Sequence, residues 1–167
     1  MLFRSKANVI NMSFDFTVPS AELAQAIAYA EKNNVVCVAS SGNDGASELV
    51  YPAGLAGVIG VASVNAENQR STFSNYGTQV TDVAAPGENI VSTYPYDTYA
   101  SSSGTSFSAP FVSGTAALAL EMGGKPTSQE ATSAVAQAQP LTSQMGHGLL
   151  NVFKALTYMQ AVLGAKN

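Results

Sequence analysis

The chain has 167 residues, 46% hydrophobic and 11% charged, with seven Lys and Arg against eleven Asp and Glu for a net charge of −4. That length suits one ordinary domain with a sizeable core, and that apolar content excludes a disordered chain. Charge this thin, with no basic cluster, argues against nucleic acid and anionic membrane surfaces as partners, and no apolar run is long enough to span a bilayer.

Residues 1–6 are too few and wrongly ordered for a signal peptide. Residues 7–13 (A-N-V-I-N-M-S) read as a short buried strand. Pro19 and Ser20 then open a helix in which Leu23, Ala26, Ile27 and Ala30 share one face, and Asn33-Asn34 stops it. Residues 35–39 form the continuous apolar run expected of a central parallel strand. Within that run Cys37, the single cysteine, reads as a buried, inert thiol. Residues 40–45 (S-S-G-N-D-G) carry turn chemistry at the carboxyl end of the strand, the edge where open α/β sheets bind ligands. Residues 58–64 are a further buried strand and 68–77 a polar loop. Residues 80–84 are a short strand stopped by Ala85-Pro86-Gly87, and 90–94 with 98–101 make a hairpin.

The stretch from Gly104 to Leu120 reads as a tight loop feeding a buried helix, uncharged until Glu121. Ser106 sits at the helix start, where unpaired N–H groups and the dipole favour negative charge. A serine there is placed to act as a nucleophile, since the oxyanion of acyl transfer would form beside those N–H groups. Position alone favours a simple N-cap instead. Pro110 falls one turn in, where a missing N–H costs little. Gly114, Ala116 and Ala117 let the helix lie close against a neighbour. Gly123-Gly124-Lys125-Pro126 ends that helix. Thr127 or Ser128 caps another reaching to about residue 138, residues 146–148 turn, and 152–163 form a last amphipathic helix. With no repeat or linker, residues 1–167 read as one α/β domain with a mainly parallel sheet.

The string G-T-S-F-S-A-P-F-V-S-G at residues 104–114 resembles the nucleophile motif of the subtilases, the subtilisin-like serine peptidases. The resemblance continues in collinear order over nearly the whole chain. Val9-Ile10-Asn11-Met12-Ser13 is similar to the strand lining the substrate cleft. Residues 35–45, ending Ser41-Gly42-Asn43-Asp44-Gly45, resemble the segment with the oxyanion-hole asparagine. Residues 51–53 (Y-P-A) with 58–61, 71–77 (S-T-F-S-N-Y-G), 82–87 (D-V-A-A-P-G) and 146–151 (G-H-G-L-L-N) resemble later elements of the catalytic domain.

The resemblance implies a three-layer fold, a mainly parallel sheet flanked by helices, incomplete at the N-terminus. It implies a serine endopeptidase acting on polypeptides, with Ser106 as nucleophile and its own N–H and the Asn43 amide as oxyanion donors. Ser13 and Gly42 would edge the pocket for the substrate side chain. By itself Asn43 reads as a turn former. The family's base and orienting carboxylate, from H-G-T-x-V-A-G and D-[ST]-G motifs, are absent, so the chain corresponds to the C-terminal part of a catalytic domain and is expected to be inactive alone. His147 fills a variable position of the terminal turn and reads as a surface histidine. Asp15 and Phe16 stand where the family has small residues. Asp15 reads as loop chemistry, with a preference for basic substrate side chains as the alternative. Many subtilases carry structural calcium, for which residues 53–58 could offer carbonyls, but no acidic cluster marks a site and no cofactor is expected. The family is mostly secreted. The competing expectation is a non-catalytic subtilase scaffold acting through binding, paired with a segment or chain that supplies the missing strands. Nucleotide binding is disfavoured by the absence of phosphate-binding glycine motifs.

Overall fold

The computed structural model describes residues 5–166, so most of the opening stretch read above as unlike a signal peptide lies outside the described residues. Four parallel strands form the central sheet, in the order β1 (Val9–Met12), β2 (Val36–Ser40), β3 (Val58–Val64) and β4 (Val83–Pro86). Helix α1 (Ala21–Lys32) joins β1 to β2. Ser20 caps it, accepting the Leu23 N–H at 3.2 Å, and Asn34 follows its end with a positive φ of 61°.

β2 and β3 are buried along their whole length, as continuous apolar strands between two layers must be. Alternate side chains divide between the faces. Val36, Val38, Ile59, Val61 and Val83 pack with Ala109, Val112, Ala116 and Ala119 of helix α2 (Thr105–Glu121). Helices α3 (Ser128–Val135) and α4 (Val152–Gly164) complete that layer through Ala131, Ala134, Ala155 and Met159. On the opposite face Cys37, Ala39 and Val58 meet Ile27 and Ala30 of α1. This is a three-layer α/β sandwich. The alanines of α2 keep its axis close to the sheet, so the helix start is held tightly beside the strand ends.

Several details differ from the sequence reading. The fourth strand is Val83–Pro86 and not 80–84. Val80 is buried, but in the loop that crosses Gly60, where any Cβ would overlap the Val80 carbonyl. Pro86 ends the strand without harm because it needs no ladder donor there. Helix α3 stops at Val135, short of 138, because the chain turns so that Gln139 can pair with Leu149. The hairpin, β5 (Ile90–Tyr94) and β6 (Thr98–Ser102), is an antiparallel pair separate from the main sheet. The far edge of β4 is taken by residues 148–150, through bonds from Ala84 N–H to Gly148 O and Leu150 N–H to Ala84 O. No helix among the described residues is long and apolar enough to cross a membrane.

Candidate active site

The carboxyl ends of β1 and β2 converge on the N-terminus of α2. Its N-cap is Gly104, which has no side chain to offer, and Ser106 is the second residue of the helix proper. Ser106 is therefore not the cap. Capping comes from across the fold: Asn43, in the loop after β2, accepts the Thr105 N–H at 2.9 Å and the Thr105 hydroxyl at 3.0 Å on its Oδ1. The same hydroxyl also approaches Gly42 O at 3.3 Å.

With Oδ1 committed to Thr105, the exposed Asn43 has its Nδ2 close to Gly104 at the helix start. Among the described residues that Nδ2 donates to no protein group, and neither does the Ser106 N–H, one of the four N–H groups a helix cannot pair internally. Two unpaired donors thus sit at a helix N-terminus with the half-buried Ser106 hydroxyl.

Ser106 is tied to β1 by a reciprocal pair of bonds. Its Oγ donates to Ser13 O at 3.4 Å, and Ser13 Oγ donates to Ser106 O at 2.8 Å. The second bond has a cause in the sequence. A helical Ser106 carbonyl would accept from the N–H four residues on, but that residue is Pro110 and has none. Ser13 fills the vacancy. Asn11 extends the link, donating from Nδ2 to Ser13 Oγ at 2.8 Å and accepting the Ser113 hydroxyl at 2.9 Å.

The loop 41–46 is shaped by Asn75, which is fully buried. Its Oδ1 accepts from Asp44 N–H at 2.9 Å and Ala46 N–H at 3.1 Å, and its own N–H donates to Gly42 O at 3.0 Å. Gly42 has φ of +97° and a Cβ there would overlap Asn75 Nδ2, so only glycine fits. Ser74 and Ser71 bind back to Ser63 on β3, which seats the polar loop 71–77 in the interior. Thr105, Asn75 and Asn11 were not assigned roles from sequence. Their motif strings were visible, but their partners lie 62, 31 and 102 residues away.

Of the other titratable groups, His147 stands apart from this centre, whereas Asp15 and Asp44 adjoin Ser13 and Asn43 in the chain. His147 is exposed, and its N–H donates to Asp82 O at 2.7 Å, just before β4 begins. That is the amino edge of the parallel sheet, whereas Ser106 lies at the carboxyl edge. Cys37 is buried, and burial, with Glu31 adding to it, pushes its thiol up to about 11. It stays protonated and inert. Asp15 follows Ser13. Burial first, and Asp44 second, raise its carboxyl above the ordinary value. Phe14 and Phe16 flank it as an exposed aromatic pair 5.6 Å apart.

Residues 1–153 match the model of the subtilase family. Subtilisin BL of Lederbergia lenta is 47% identical over 111 residues, which are 66% of this chain and 41% of the relative. Thermitase of Thermoactinomyces vulgaris is 41% identical over 156 residues, 91% of this chain and 55% of the relative. Among solved structures, the patellamide maturation protease PatA is similar with a TM-score of 0.87 at 32% identity, over 96% of this chain and 65% of that one. The prenylagaramide maturation protease PagA gives 0.85 at 32%, over 95% and 64%. The chain spans about half or less of the length of these curated relatives. Its fold is subtilisin-like, and the chain belongs to the subtilase family.

Proposed function

We propose that this chain carries the nucleophile and oxyanion half of a serine endopeptidase site. The observation that supports the reading most is the pair of unpaired donors, Ser106 N–H and Asn43 Nδ2, beside the Ser106 hydroxyl. A peptide carbonyl attacked by Ser106 Oγ would place its developing charge between those donors, where a fixed hydrogen-bonding site is worth most. Ser13 and Gly42 would border the substrate side chain next to the scissile bond. The residues needed involve no cofactor. An extracellular setting rests on the family alone.

Among the described residues the hydroxyl has no activating base within reach: its partner is a carbonyl, and the single histidine lies at the opposite sheet edge. A serine without a base is a poor nucleophile at neutral pH. In this reading the imidazole and its carboxylate come from polypeptide outside the 167 residues, matching the portion of the relatives this chain does not span. The second reading, a non-catalytic scaffold that acts by binding, is favoured by the same missing base.

The test is covalent labelling by a fluorophosphonate. The 167-residue chain is expected to label negligibly alone and to label at Ser106 once joined to the unmatched portion of thermitase. Loss of the label in Ser106→Ala supports the assignment. Label retained in Ser106→Ala names the wrong nucleophile, and efficient turnover by the isolated chain shows that a base is present after all.

A further inference from the structure

Asp15 read from the sequence as loop chemistry, and the structure gives it none. An Asx turn would set its carboxylate on a nearby backbone N–H. Among the described residues that carboxylate takes no hydrogen bond and no ion pair, although the side chain is half-buried. Burial, and after it the charge of Asp44, hold the carboxyl above its ordinary value. Asp44 is exposed, and the group its own carboxylate meets, Asn75 Nδ2 at 3.5 Å, is neutral. No cation among the described residues pairs with either. Two like charges are thus held near each other, an arrangement that disfavours both unless a positive group lies between them.

Both carboxylates are fixed beside the serine. Ser13, two residues before Asp15, donates to Ser106 O at 2.8 Å. Phe16, one residue after it, exchanges two backbone bonds with Tyr51, at 2.8 and 2.9 Å. Asp15 is pinned from both sides. Asp44 follows Asn43, and the buried Asn75 holds its N–H at 2.9 Å. β1 and β2 are adjacent and parallel, so the loops that follow them rise side by side at the carboxyl edge. One loop carries Ser13 and Asp15, the other Gly42 and Asp44.

We propose that Asp15 and Asp44 select polypeptides with a lysine or arginine beside the scissile bond, the cationic end of that side chain lying between the two carboxylates. A neutral side chain would leave the two charges opposed, so selection comes from what is rejected as well as from what is attracted. The inference rests on the proposed function, since it takes the bound segment to be the substrate, but it is read by binding and needs no turnover.

The test uses the Ser106→Ala form of a single polypeptide joining the unmatched portion of thermitase to this chain, which binds without cleaving. Calorimetry gives Kd for two peptide p-nitroanilides that differ only in ending on lysine or on methionine. The lysine peptide should bind more tightly. Asp15→Asn and Asp44→Asn, which keep size and shape, should each cut that lysine-to-methionine ratio by about five- to tenfold. The ratio should also fall as salt is raised. Equal binding of the two peptides overturns the proposal, as does a lysine preference that survives both substitutions. Calcium binding that both substitutions abolish overturns it in favour of a metal site. A lysine preference lost in both variants, with no fluorophosphonate label on the form that keeps Ser106, upholds the cation pocket while sinking the peptidase reading.

Discussion

Thr105 donates both its backbone N–H and its hydroxyl to the Oδ1 of Asn43, at 2.9 and 3.0 Å. One side-chain oxygen from the loop after β2 thus replaces the cap that Gly104 cannot provide, which leaves the amide nitrogen without a protein acceptor among the described residues. Thr105→Val keeps the N–H and the shape but removes the hydroxyl donor. We expect a loss of about 1–2 kcal/mol in unfolding free energy, because Thr105 is fully buried and Gly42 O loses a neighbour as well. Urea unfolding of the isolated chain checks this. No change would mean that the backbone donor alone fixes Asn43.

Asn75 shapes the same loop from beneath. In Asn75→Ala the N–H groups of Asp44 and Ala46 lose their acceptor. The expected cost is about 1–3 kcal/mol. Asn75→Asp keeps the acceptor but sets a carboxylate against Asp44, which Asn75 Nδ2 now approaches at 3.5 Å. It should be better tolerated at acid pH than at neutral pH, and equal stability at both would remove the argument from charge.

The Ser13 hydroxyl and Pro110 are coupled without touching, through the Ser106 carbonyl. Ser13→Ala should cost about 1–2 kcal/mol in the parent chain. The cost should shrink in Pro110→Ala, which restores a helical N–H to that carbonyl. A double-mutant cycle measures the coupling, and strict additivity would show that the carbonyl does not link them.

The helix and its serine-rich entry were legible because they lie in one ordered string, and a string of eleven residues is specific where a lone serine is not. The buried strands were legible from continuous apolar runs. The errors share a cause: apolar pattern reports burial, not pairing. Val80 is buried by a loop crossing Gly60 and so was read as strand. Residues 68–77 are the polar loop they read as, but its burial was not legible: Ser71, Ser74 and Asn75 are interior, with Ser71 and Ser74 bonded to Ser63. The capping of α2 by Asn43 depends on a contact 62 residues long, which spacing cannot disclose.

Asp82 gives the fold a pH signature. Burial raises its carboxyl above the ordinary 3.8, against the opposing pull of the Gly60 N–H and His147. The folded chain holds this proton more tightly than the unfolded chain. Its contribution to stability is therefore full below the ordinary value and is lost as pH rises through the raised folded value. Asp82→Asn retains an acceptor for Gly60 N–H but does not titrate. The stability difference between variant and parent should move in the variant's favour as pH climbs from about 4, then level off. Asp15 shifts in the same direction but is common to both chains and cancels. A difference independent of pH in urea unfolding would show that Asp82 titrates alike in both states.

The most direct measurement is the steady-state kinetics of Asn43→Leu in a single polypeptide joining the unmatched portion of thermitase to this chain. If Asn43 Nδ2 holds the oxyanion, kcat falls by about 100- to 1,000-fold, the size found on removing the side-chain donor in subtilisin, while KM changes little. Labelling of Ser106 slows but persists, because the serine and its base are untouched. The melting temperature falls in either case, because the cap on Thr105 is lost; if Asn43 serves only as that cap, kcat of the folded fraction stays near the parent value, which would contradict the assignment of the oxyanion site.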